Sequence, residues 1–273
     1  VGVETDGGRQ IRARHFIASG LNPQQTFLEL FDDADIPAEW RQFAGDYRYN
    51  LLAPLFGTYL NLKAPVRYAA AADCPELDQA LMVILGLERS EQFLEIVEHH
   101  EKGTIPPTVM WGSCPTRFDP QQAPEGKHAA FMWEKLPFKL AGDADHWDQE
   151  KDRHGEQMIE TWKEYAPSLQ DDLLDVTTRS PLDTARRLPN MRFGDLLVGA
   201  LTRRQMGFHR PFPGAGHYRG HLPGMYLCGS SCHPGGNITG MPGYNSAQVL
   251  LADLGIKADW TPDALRKRLP EAD

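Results

Sequence analysis

Between Cys228 and Gly243 the sequence gathers residue types that can do chemistry or hold a group that does. Cys228, Ser230, Ser231, Cys232 and His233 are followed by Pro234, Gly235, Gly236, Gly240, Pro242 and Gly243. Glycine-rich turns leave few side chains in the way of a ligand approaching the backbone. The run Met225–Cys228 before the loop is short and apolar and stops at Gly229, as a buried strand would. After the loop, Ala247, Leu250, Leu251 and Leu254 recur at helical spacing, with Gly255 as a C-terminal stop. Strand, glycine loop and helix make a cradle for an anion or cofactor, because a helix start offers unpaired N–H groups and a partial positive charge.

Other chemistries fit these residues less well. Cys228, Cys232 and His233 offer zinc-type ligands, but a structural zinc needs four, usually with tighter Cys-x-x-Cys spacing, and no second pair exists. No metal is expected. Gly229-Ser230-Ser231 is not a nucleophile elbow, because G-x-S-x-G demands glycines on both sides of the serine and His233 stands at the second. Cys228 reads as a small buried hydrophobe. His233 is the best candidate for a group that transfers protons or orients a substrate; the alternative is a histidine that bonds the loop backbone.

The elements that must position this loop follow from the rest of the chain. Val1, Val3 and Thr5 alternate, Asp6-Gly7-Gly8 turns, and Ile11, Ala13 and His15 alternate again, which predicts a β-hairpin. Phe16–Ser19 predicts a strand ending at Gly20. Asn22 caps a helix with Pro23 at its first position, running through Phe27 and Leu30. A short helix is expected after Pro37, carrying Trp40 and Phe43. Tyr59–Ala64 alternates as a strand with one polar face. Leu77–Leu87 and Glu91–His100 read as helices, the second capped by Ser90 and closed by Gly103. His99 and His100 suit the negative end of that helix. Strands are expected at Thr108–Gly112 and His128–Leu136. Trp147, Lys151, His154, Met158, Trp162 and Tyr165 share one face of a long helix stopped before Pro167. Trp111, Phe131, Met132 and Trp133 could line an apolar substrate cavity, or simply be buried strand residues.

Totals narrow the classes. With 41% hydrophobic and 24% charged residues the composition is globular, and a net charge of -9 argues against nucleic acid as the main partner. No apolar run reaches the roughly 18 residues of a membrane-spanning helix, which leaves only peripheral membrane contact through a local patch. Four scattered cysteines do not make a disulfide scaffold, and a cytoplasmic location is the default expectation. No G-x-G-x-x-G stands between a strand and a helix. Gly214, Gly216 and Gly220 have the wrong last interval and no strand before them, so they predict a loop.

Residues 224–254, GMYLCGSSCHPGGNITGMPGYNSAQVLLADL, resemble the C-terminal flavin-binding signature of phytoene-desaturase-like and carotenoid-isomerase-like FAD oxidoreductases, close to LYLCGSSTHPGGGVTG-x-x-G-x-N-A-A. Asn22, Pro23 and Thr26 match that family's D/N-P-x-x-T passage. Further matches are PPTVMWGSCPTRFDPQQAPEGKH at 106–128, SPLD at 180–183, PNMRFGD at 189–195 and RPFPG at 210–214. The resemblance spans the chain, weakening over its last residues. In the family the dinucleotide fingerprint lies near the N-terminus of a chain about twice this long, so this chain matches the later half. The opening reads as a hairpin already in progress.

The resemblance implies an α/β fold: the C-terminal part of a Rossmann-like FAD-binding fold plus an α+β, mixed-sheet substrate domain. Residues 1–20 and 196–255 would belong to the FAD-binding part, 21–195 to the substrate domain, and 256–273 to a C-terminal tail helix. It implies FAD as cofactor, with Gly229, Ser230, Gly236, Asn237, Ile238, Thr239, Gly240 and Met241 against it and His233 as catalytic candidate. Asn237 stands where the family often has a third glycine, and Ser230 where many related flavoproteins have an acidic residue. The expected activity is FAD-dependent dehydrogenation or isomerisation of an apolar organic substrate. An N-terminal half or subunit bearing G-x-G-x-x-G would complete the site. The alternative is a non-catalytic subunit that stabilises an intact flavoenzyme.

Overall fold

The structure, a computed structural model, describes residues 2–31, 35–236 and 238–257. The strands are β1 (Gly2–Glu4), β2 (Gln10–Arg12), β3 (Ile17–Ser19), β4 (Leu55–Leu62), β5 (Val83–Leu85), β6 (Met110–Ser113), β7 (His128–Lys135), β8 (Leu173–Arg179) and β9 (Met225–Leu227). The helices are α1 (Ala38–Gly45), α2 (Gln92–Lys102), α3 (Trp147–Tyr165), α4 (Leu169–Asp172), α5 (Pro181–Arg187) and α6 (Met241–Asp253). The chain divides into two compact units, residues 1–48 with 197–273, and residues 49–196. The α/β class holds, with parallel pairing in the first unit and antiparallel pairing in the second.

Residues 49–196 form a five-stranded sheet in the order β5-β6-β7-β4-β8, with every neighbouring pair antiparallel. Alternation along β4 and β7 sends Phe56, Leu60, Leu62, Ala130 and Met132 to one face, where Trp147, Met158 and Trp162 of α3 pack on them. Gly155 lets α3 come close to β8: a Cβ there would lie 2.3 Å from the Thr178 methyl. Inside this core His154 Nε2 meets Glu134 Oε2 at 2.7 Å, both residues essentially without solvent exposure. Ser180 and Asp183 form a reciprocal capping box that starts α5.

Three local expectations fail here. Leu77–Leu87 is not a helix: Pro75–Gln79 makes a short 3₁₀ turn, and Val83–Leu85 becomes β5 on the open edge of β6. Gly86, at φ 79°, brings the chain so near Thr108 that a Cβ would touch its carbonyl, so edge pairing overrides the helical spacing. Ser90 does not cap α2; the Gln92 side chain accepts from the Glu88 and Arg89 amides instead, and the Ser90 hydroxyl turns to Glu91. His100 is no helix-end cation. It is buried, its Nδ1 lies 2.8 Å from the Ile96 carbonyl, and burial pushes its pKa down, favouring the neutral ring.

In the other unit the β1–β2 hairpin is exposed along both strands. β3 pairs in parallel with β9, Ile17 opposite Met225 and Ser19 opposite Leu227. A small core of Phe27, Ala44, Phe212, Ala215, Met225 and Leu227 supports that pair, with Trp40 and Phe43 of α1 against it. α6 buries only Pro242 and Ser246. Gly255, at φ 67°, ends it as expected. The expected tail helix lies almost wholly on residues 258–273, outside the described residues.

Candidate cofactor-binding site

β3 and β9 run side by side and end together, which puts the glycine loop next to a segment far away in sequence. The Cys228 amide donates to the Ser19 carbonyl at 2.9 Å. A Cβ on Gly229 would come within 2.2 Å of the Gly20 carbonyl oxygen, so only glycine fits this crossing. The carboxyl ends of parallel strands are where open α/β sheets bind ligands. The Asn-Pro-x-x-Thr passage is built around the same point. Asn22 Oδ1 accepts from the Gln25 amide at 2.9 Å, capping a turn whose Gln25–Glu29 segment winds as a π-helix. Thr26 and Ser19 hydroxyls meet at 2.8 Å, and Ser231 Oγ donates to the Leu21 carbonyl at 3.4 Å. The two sequence segments matched separately thus form one assembly.

Along the loop, Ser230 is half-buried, Ser231 and Cys232 are buried, and Gly236 is half-buried. The Ser230 and Ser231 amides donate to no protein acceptor among the described residues. Asn237 lies outside the described residues. Ile238 is fully exposed at φ 58°, a conformation that strains a β-branched residue and is found mostly where function holds it. Gly240, at φ 66°, leads into α6, where the Met241 amide is capped by Thr239 Oγ1 at 3.3 Å and Pro242 follows. Beside Gly20, Gly240 and Gly243 a Cβ would meet nothing within 4 Å. Free amides, a helix start and open space on the glycine side fit an anionic, flat cofactor.

His233 is exposed, and its carbonyl, not its ring, is engaged, accepting from Tyr218 Oη at 3.0 Å. Its ring makes no hydrogen bond to the described residues. It borders a cavity of about 290 Å³ lined also by Phe208, His217, Tyr218, Arg219 and Val249. Cys228 is half-buried. Burial drives the Cys232 thiol up to about 12, with Cys228 adding to the rise, so neither cysteine is set up as a thiolate nucleophile. Among the described residues no group of three or more His, Cys, Asp or Glu side chains is arranged to hold a metal ion. One residue that spacing did not single out stands behind the loop: Arg210, 1% exposed, donates to the Ser230 carbonyl at 3.0 Å. Its only sequence signal is its place in the RPFPG match.

In residues 49–196 the sheet face opposite α3 is aromatic. Phe131, Trp133 and Trp111 lie on it, Phe131 and Trp133 with ring centroids 4.4 Å apart. Trp133 Nε1 donates to Tyr59 Oη at 3.1 Å, and Ile84 stands exposed beside them on β5. Met132, grouped with these residues by sequence, points the other way and is buried in the core. The Lys135 ammonium sits 5.4 Å from the Trp111 ring centroid and donates to the Leu52 carbonyl. Burial lowers its pKa, with Asp195 opposing.

No family model matches the chain. It is 31% identical over 264 residues to pyridine nucleotide-disulfide oxidoreductase domain-containing protein 2 of Mus musculus, covering 93% of this chain and 44% of that protein. A subunit of limonene dehydrogenase from Castellaniella defragrans is 29% identical over 77% of this chain and 39% of its own length. Prolycopene isomerase 1, chloroplastic, of an Oncidium hybrid cultivar is 26% identical over 94% of this chain and 40% of that protein. An oxidoreductase structure from Methanosarcina mazei aligns over 93% of this chain with 15% identity and a TM-score of 0.39, too distant a likeness to bear on function. No helix among the described residues is long and apolar enough to cross a membrane. The chain spans less than half the length of the curated relatives it matches, and those relatives are named as oxidoreductase, dehydrogenase-subunit and isomerase proteins.

Proposed function

We propose that this chain is the C-terminal part of an FAD-dependent oxidoreductase that dehydrogenates or isomerises an apolar organic substrate. The observation that carries the reading is the joint end of β3 and β9, where Gly229 crosses Gly20 and the loop runs into the start of α6. Residues 1–48 and 197–257 would serve the flavin and residues 49–196 the substrate, a boundary later than the sequence suggested because Asn22–Thr26 packs against the glycine loop. Bound FAD would supply the redox chemistry, accepting electrons from a substrate C–H bond. The chain's own part is to hold and orient. Free amides at Ser230 and Ser231 would meet the phosphate and ribityl groups. Ile238, Thr239, Gly240 and Met241 would border the ring, where the positive end of α6 favours added negative charge. Gly236 and Asn237 would complete the loop's contact. His233, exposed with a free ring, is the candidate to move a proton or orient substrate. The aromatic face of Tyr59, Trp111, Phe131 and Trp133 would exclude water from an apolar substrate.

The adenosine half of FAD needs a G-x-G-x-x-G helix start that this sequence does not contain, so an N-terminal half or partner subunit would complete the site. A subunit role is in keeping with the name of the Castellaniella relative. Co-expression with a G-x-G-x-x-G-bearing half should give a yellow complex that keeps flavin through size-exclusion chromatography. The 273-residue chain alone should be colourless or poorly soluble. A lone monomer with stoichiometric FAD would sink the two-part reading. A complex of both halves without flavin would favour a non-catalytic stabilising subunit. In a flavin-bound structure, FAD lying more than about 6 Å from all of 229–241 would overturn the site assignment.

A further inference from the structure

We infer that Arg210 is the positioning residue of the glycine loop, and that its guanidinium, held without a carboxylate partner among the described residues, biases a flavin on that loop toward its electron-rich, reduced form. The electrostatic half rests on the flavin reading above; the positioning half stands on the loop alone. Arg210 Nη1 donates to the carbonyls of Gln205 at 3.1 Å and of Gly199 and Ala200 at 3.4 Å. Nη2 donates to Ser230 at 3.0 Å and Leu197 at 3.2 Å, with Val198 and Gly199 slightly longer. No carboxylate among the described residues pairs with it, and Nε has no acceptor although it is buried. A buried charge is ordinarily paired, and among the described residues this one is met by carbonyl dipoles.

Besides the Gln205 carbonyl, those dipoles come from two segments. One is the coil 197–200, where Val198 at φ 51° holds a conformation that persists at a β-branched residue only when neighbours enforce it, next to Gly199 at φ 126°. Tyr47 Oη donates to the Val198 carbonyl at 2.8 Å from within the same unit. The other is the glycine loop at Ser230, directly after the Gly229 crossing. The loop's second limb borders the same guanidinium: a Cβ on Gly235 would stand 3.6 Å from Nε. The planar fork therefore clamps the loop to a strained coil, a geometry lysine cannot reproduce. Cys232 does not neutralise it, since burial keeps that thiol protonated. In a buried, weakly screening setting the positive charge acts across the loop and favours added electron density on its far side.

The test uses Arg210→Met and Arg210→Lys in the protein assembled with its N-terminal half. Hydrogen exchange of loop 229–236, FAD affinity and the two-electron midpoint potential are measured for each. Arg210→Met should speed loop exchange more than tenfold. It should also cut the preference for reduced over oxidised flavin about tenfold, a potential about 30 mV lower. Arg210→Lys keeps the charge but not the fork, so exchange should rise while the potential stays near the parent's. Parental exchange in Arg210→Met, or in Arg210→Lys if the methionine variant does not fold, overturns the positioning role. A potential unchanged in Arg210→Met, or lowered in Arg210→Lys as far as a lost charge would, overturns the electrostatic role. A parent complex that takes up no FAD defeats the flavin reading and the electrostatic half with it, while loop exchange still decides the positioning.

Discussion

Residues 49–196 lay a long helix over an antiparallel sheet and bury three large side chains of that helix, Trp147, Met158 and Trp162, among strand residues. Residues 1–48 and 197–257 set a small apolar cluster around two three-residue parallel strands and fix much of the remaining chain through polar contacts to backbone. Tyr47, Gln205 and Arg210 all spend their side chains on main-chain groups there. Interior packing of the first kind resists change everywhere at once. Pinning of the second kind holds a chosen loop in shape and leaves its outer side open, which suits a region that must admit a ligand.

The contrast yields a graded series of tests. Trp162→Ala should cost about 3–5 kcal/mol in urea unfolding while leaving hydrogen exchange of 229–236 in the native state unchanged. A loop that loosens equally would erase the distinction. Next, Glu134→Ala should cost about 3 kcal/mol by stranding His154, whereas Glu134→Met with His154→Leu should come within about 1 kcal/mol of the parent. Equal losses in the two variants would show that shape, and not the buried polar pair, decides this part of the core. Tyr47→Phe should cost only about 1 kcal/mol globally, yet speed exchange at 197–200 clearly. If global and local effects match, the second unit is packed like the first. Gly240→Val strains a left-handed position with open space around it, so flavin retention should fall at near-parental thermal stability.

The smallest effect concerns pH. Burial lowers the pKa of His100, reinforced by the nearby charges of Lys135 and His99 and opposed by the bonds to Ile96 and Leu136. The unfolded chain then takes up the proton first. The contribution is complete above pH about 6.5 and is lost as pH falls through the lower, folded value. His100→Phe should flatten stability against pH over that acid range, read from thermal melts. A slope identical to the parent's would remove His100 from the account.

Elements were readable from the sequence where their own residues carry the pattern. The hairpin, α1, β4, α2, β6, β7, α3 and α6 alternate or repeat at their own period, while β3 and β9 show as short runs cut off by Gly20 and Gly229. β5 and β8 do not, because edge strands take their form from the neighbour they join: Val83–Leu85 pairs with β6 inside a stretch of helical spacing, and LLDVTTR is half-polar and scarcely buried. At the site, Gly229, Gly240 and the Asn22–Thr26 passage were readable because glycine and caps announce backbone geometry. Arg210 was not. Its partners are carbonyls of irregular chain, which carry no side-chain signature, and one arginine among many gives no hint that it is buried.

Trp111 and Trp133 on the open sheet face stand nearly perpendicular, their ring centroids 6.3 Å apart at 82°. Indoles this close share excitation, so the pair should give a paired signal in near-ultraviolet circular dichroism, with the Lys135 ammonium perturbing one member. Trp147 and Trp162 sit in the interior and emit from a dry environment. Trp111 and Trp133, partly open to water, emit at longer wavelength than that interior pair. Any molecule that lies on that face changes the solvent these rings see, and the sheet reports its own occupancy by colour of emission.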